Sequence, residues 1–139
     1  MTNKIEVSWK GDMLFESVAP EGSVMIDADD AVGGQGKGLR PKAMMLTAMA
    51  GCTAMDVASL LKKMRAEVAD FKVDVEANLT DEHPKYYDKV HVTYRFYGSD
   101  FKKDKIEKSV NLSVDRYCGV MEMFRQFSEL TTEILYIEQ

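Results

Sequence analysis

The stretch PKAMMLTAMAGCTAMDVASLLKKM, residues 41–64, decides the fold. Proline suits a first helical turn, and the Ala, Met and Leu that follow are strong helix formers. The spacing predicts one long helix from Pro41 to about Met64, ending in the cationic cluster KKMR that a helix C-terminus favours. Leu46, Ala50, Val57, Leu60, Leu61 and Met64 recur at helical spacing, while Met45, Met49 and Met55 carry apolar surface to the opposite side. A helix apolar nearly all round needs burial nearly all round. It is therefore expected to be wrapped by sheet or packed on a second subunit.

Towards the N-terminus the pattern is that of short strands. IEVSW (5–9) alternates Ile5, Val7 and Trp9 with Glu6 and Ser8, as a half-buried strand does. KGD and PEG are turn signals, and MLFESV and SVMID read as second and third strands. DADDAVGGQGKGLRP (27–41) holds four glycines between residues 33 and 38 and has no apolar periodicity. It matches neither a dinucleotide-binding fingerprint nor a P-loop, so a flexible linker is expected.

Towards the C-terminus, FKVDVEANL places Phe71, Val73, Val75, Ala77 and Leu79 on one face. KVHVTYRFYG does the same with Val90, Val92, Tyr94 and Phe96. The two runs read as an antiparallel pair with one solvated face, on which His91 points to solvent. Two shorter helices follow, DFKKDKIEKSVNL and VDRYCGVMEMFRQF. Ser113 is expected to cap the second, with Cys118 in its second turn. LTTEILYI closes the chain as a strand. The sum is one α+β domain over residues 1–139, antiparallel sheets packed on a long central helix.

Composition narrows the partners. The 139 residues carry a formal charge of -5, which disfavours nucleic acid and anionic membranes. No run approaches the roughly 18 uninterrupted apolar residues of a membrane span, and the N-terminus lacks the pattern of a signal peptide. A cytoplasmic protein with reduced thiols is expected. Two cysteines, Cys52 and Cys118, stand 66 positions apart, with no CxxC pair and no histidine beside either. Neither they nor His83 and His91 match a zinc spacing, so no metal is expected.

A thiolate is the nucleophile, and its formation needs cationic or dipolar help. Cys52 lies deep in its helix, one turn before Asp56, and its local sequence favours a small buried hydrophobe. Cys118 stands near a helix N-terminus with Arg116 close by. Neither supports a functional assignment alone.

Three segments together resemble the OsmC/Ohr family of osmotically inducible and organic-hydroperoxide-resistance proteins. They are GGQGKGLRPKAMMLTAMAGCTAMDVASLLKKMR, HPKYYDKVHVTYRFYG and LSVDRYCGVMEMF, and the likeness runs over roughly residues 3–137. The resemblance implies an OsmC-like fold and an intertwined homodimer with the central helix at its interface. It also implies a cysteine peroxidase acting on small organic hydroperoxides or peroxide. Cys52 would be the peroxidatic nucleophile and Cys118 the resolving thiol. An external dithiol, lipoyl groups in some members, would restore the pair, with no bound cofactor. Peroxidase members place a glutamate directly after the helix proline, where this chain has Lys42. They also supply an arginine from the N-terminal strands. This chain has none before Arg40, which is the expected thiolate-stabilising substitute. The alternative implied by the family is a non-catalytic stress or small-ligand-binding protein.

Overall fold

The computed structural model describes residues 1–139, which gather into two compact units, Met1–Met45 and Leu46–Gln139. In the first, β1 (Glu6–Trp9), β2 (Phe15–Ala19) and β3 (Gly22–Ile26) form an antiparallel meander. Gly11 and Asp12 take positive φ in the β1–β2 turn, where the Trp9 indole donates to the Asp12 carbonyl at 2.8 Å. The alternation of β1 is as expected, but its apolar face is open: Ile5, Val7 and Trp9 are all more than half exposed. A three-stranded sheet has two faces, and this one stays exposed.

The glycine-rich segment is no flexible linker. Asp27, only 2% exposed, organises it. Its carboxylate accepts the backbone N–H of Ala28 at 2.8 Å, of Gln35 at 2.9 Å and of Lys37 at 3.1 Å. Asp29 caps a turn of 3-10 helix over Asp30–Val32, and a parallel bridge joins Ile26 to Leu39. Gly34 passes so close to the Ala28 carbonyl that a Cβ there would come within 1.8 Å of the oxygen. The glycines let the chain wrap a buried carboxylate whose charge the N–H groups satisfy.

Helix α1 (Pro41–Met64) has the bounds the sequence predicts and leads into the second unit. There β4 (Asp70–Leu79) pairs antiparallel with β5 (Tyr87–Gly98), and α2 (Lys103–Leu112) and α3 (Gly119–Arg125) precede β6 (Glu129–Glu138). The sheet order is β4-β5-β6, and β6 lies parallel to β5 rather than antiparallel. The connection explains it, because a parallel neighbour needs a crossover of a dozen or more residues and α2 with α3 supplies one.

The core lies where these elements meet. Val90, Val92, Tyr94 and Phe96 of β5 are buried with Met49, Val57 and Leu61 of α1, Ile106 and Val110 of α2, and Met121 and Phe124 of α3. Each such apolar side chain contributes about 1.5–3 kcal/mol when fully buried. Phe96 also stacks between Phe71 and Tyr136, with ring centroids 5.6 and 6.2 Å away.

Burial of α1 is one-sided. Met49, Thr53, Val57 and Leu61, one every four residues, form its buried stripe, whereas Met55 is 75% exposed. By length and hydropathy alone α1 could cross a membrane, its best 18-residue window reaching a mean hydropathy of 1.5. Its stripe, however, packs into this chain's own core.

Candidate redox site

The site begins with helical spacing. Cys52 adjoins Thr53 of the buried stripe, so its thiol sits half-buried at the stripe's edge. Asp56 follows one turn later on the same face. Cys118 arrives by a different device. After α2 the chain makes a π turn over Ser113–Tyr117, closed by the Cys118 N–H donating to the Ser113 carbonyl at 2.9 Å. Cys118 then takes extended geometry, φ -75° and ψ 101°, and α3 starts at Gly119. Ser113 thus ends α2 and is buried at the start of a π turn rather than capping α3, and Cys118 precedes α3 instead of lying in its second turn. The wider π turn directs the thiol inward, where it is 3% exposed.

These elements bring the two cysteines together. The sulfurs of Cys52 and Cys118 and a carboxylate oxygen of Asp56 all lie within 4.8 Å of one another. Both thiols are free. Burial pushes the Cys118 thiol up to about 11, and the neighbouring Cys52 thiol pushes the same way. The backbone N–H groups of Met121 and Val120 oppose the rise by donating to the sulfur.

Behind the cysteines runs a chain of buried hydroxyls. Ser113 donates to Asp56 Oδ2 at 2.9 Å, which commits its only proton. The 2.7 Å contact between Thr53 and Ser113 must then have Thr53 donating, and the 2.7 Å contact between Tyr94 and Thr53 must have Tyr94 donating. The chain therefore has one direction, Tyr94 to Thr53 to Ser113 to Asp56. Burial holds the Tyr94 phenol protonated, pushing it up to about 12, so it remains a donor. A groove of about 390 Å³ lined by Asp56, Ser59, Leu60, Lys63 and Tyr117 opens beside the carboxylate.

The other sequence candidates make contacts of their own. Arg40 pairs with Asp29 at 3.0 Å. His91 is on the solvated face of β5, bonded to Thr131 at 2.7 Å and Glu133 at 3.3 Å. From the sequence, Ser113 is expected as a helix cap and Tyr94 as part of an apolar strand face, Asp56 is only a neighbour of Cys52, and Thr53 has no role. A threonine in an otherwise apolar stripe was the available signal, since a buried hydroxyl needs a partner.

Fold and site together define an α+β protein with a convergent, reduced cysteine pair. Residues 34–133 match the family of OsmC-like proteins, and the chain belongs to that family. Among curated relatives, Protein YhfA of Escherichia coli strain K12 is 28% identical over 126 residues, spanning 90% of this chain and 91% of that protein. A hypothetical protein from Aquifex aeolicus VF5 superposes with a TM-score of 0.88 at 25% identity, over 100% of this chain and 98% of that one. The organic hydroperoxide resistance protein OhrB of Bacillus subtilis shares the fold, with a TM-score of 0.66 at 16% identity, covering 96% and 98% of the two chains.

Proposed function

We propose that this protein is a cysteine peroxidase that reduces small organic hydroperoxides or peroxide in the cytoplasm. The observation that supports the reading is the placing of the Cys52 and Cys118 sulfurs within 4.8 Å of each other, from positions 66 residues apart in sequence. Exposure distributes the roles. Cys52 is half-buried and accessible to a small peroxide, whereas Cys118 is enclosed and suited to resolving what Cys52 becomes.

In the first step the Cys52 thiolate attacks the terminal peroxide oxygen, and the O–O bond breaks. The alkoxide leaves and takes up the proton that the Cys52 thiol gave up on ionising, so that an alcohol is released and the sulfur is oxidised to a sulfenic acid. Cys118 then attacks that sulfur, forming the Cys52–Cys118 disulfide and releasing water. An external dithiol reduces the disulfide by exchange and is itself oxidised to a disulfide. Lys42, where the glutamate-bearing peroxidase members have their glutamate, sets this chain apart from them.

The test is steady-state consumption of an organic hydroperoxide with a dithiol reductant. Wild type turns over, while Cys52→Ser loses activity at least a hundredfold. Equal turnover in Cys52→Ser would remove Cys52 from its role, and no turnover in wild type with any dithiol would remove the peroxidase reading.

A further inference from the structure

The spacing of the cysteines in sequence gives no metal motif, yet the fold assembles a donor set that no spacing could show. Cys52, Asp56 and Cys118 converge from α1 and from the junction of the π turn with α3. At the widest, a triangle of donors 4.8 Å on a side has its centre about 2.8 Å from each corner. Closing by about 0.5 Å, within rotamer adjustment, brings the sulfurs to the Zn–S distance of about 2.3 Å.

The surroundings suit ligands. Ser113 donates to Asp56 Oδ2 at 2.9 Å and orients the carboxylate, backed by Thr53 and Tyr94. Hydrogen bonds of this kind tune metal ligands and are commonly as telling as the ligands themselves. The half-buried side of Cys52 and Asp56, and the groove beside Asp56, leave an entry path and an open fourth position.

We propose that Cys52, Cys118 and Asp56 form a binding site for a thiophilic divalent cation, Zn²⁺ above all, with water as the fourth ligand. Two soft sulfurs and one carboxylate select zinc over magnesium or calcium, which take oxygen-only shells. Binding displaces one proton from each thiol and forms two metal–sulfur bonds and one metal–oxygen bond, with no change of oxidation state. While the metal is held, each thiolate shares one lone pair and much of its charge with it, which slows its reaction with an oxidant or an alkylating reagent. The site stands independently of the peroxidase reading, and it is measured on reduced protein with no peroxide present.

The experiment titrates Zn²⁺ into the reduced full-length protein against a chromophoric zinc chelator. The expected result is one zinc per chain, with maleimide alkylation of the thiols slowed at least tenfold. Co²⁺ should give thiolate-to-metal charge-transfer absorption and the visible bands of a tetrahedral ion. Asp56→Asn is expected to weaken binding by about 10–100-fold, and Ser113→Ala about tenfold, with both cysteines intact. Asp56→Asn decides even where a cysteine variant fails to fold, because its side chain lies at the half-exposed edge of the site. Wild-type binding no tighter than that of the Cys52→Ser, Cys118→Ser double variant overturns the site. Unchanged affinity in Asp56→Asn overturns the three-ligand arrangement.

Discussion

Thr53 is the residue on which the site rests. It interrupts a stripe of Met49, Val57 and Leu61, and its single hydroxyl both accepts from Tyr94 and donates to Ser113, each at 2.7 Å. Valine has nearly the same shape but no hydroxyl, so Thr53→Val leaves the buried Tyr94 phenol without its acceptor. The cost of such a group is about 1–3 kcal/mol, and urea unfolding should show a loss in that range. A variant as stable as wild type would mean that the hydroxyl chain contributes nothing to the fold. The two cysteines were visible in the sequence, and only the family resemblance paired them. Their convergence depends on side-chain direction around a π turn, which no pattern of apolar spacing encodes.

Elements differed in how plainly they could be read. Helix α1 and strands β4 and β5 follow from periodicity, because each buries one face and the residues on that face repeat. The parallel placing of β6 was implicit in the two helices before it, since a crossover of that length permits a parallel neighbour. The glycine-rich loop misled, because its order comes from one aspartate at the end of β3 rather than from any apolar pattern. Hydrogen bonds from the Gln35 and Lys37 N–H groups hold the Asp27 carboxyl below its ordinary value of 3.8. A depressed carboxyl adds stability above that value and loses it as pH falls towards and through the folded value. Acid unfolding should therefore show a loss of stability below about pH 4 to which Asp27 contributes. Asp27→Asn should be less stable at pH 7 and should unfold with a flatter acid limb. An unchanged acid limb in Asp27→Asn would assign that loss to other carboxylates.

For the whole molecule, the open apolar face of β1 and the exposed Met55 of α1 are among the apolar surfaces a single chain leaves exposed. We infer that a second copy covers them, as the family resemblance implies. Light scattering on the purified protein should give twice the chain mass, and Trp9→Glu should shift the population towards monomer. A monomer at micromolar concentration in wild type would contradict this. The central claim concerns the two sulfurs, and one measurement tests it most directly. The reduced protein is treated with one equivalent of an organic hydroperoxide, and its intact mass and disulfide-linked peptides are then determined under non-reducing conditions. The account predicts a chain lighter by two hydrogens, with a single peptide pair joining Cys52 to Cys118. Two unmodified thiols after treatment, or oxidation stopping at Cys52 with Cys118 free, would contradict it.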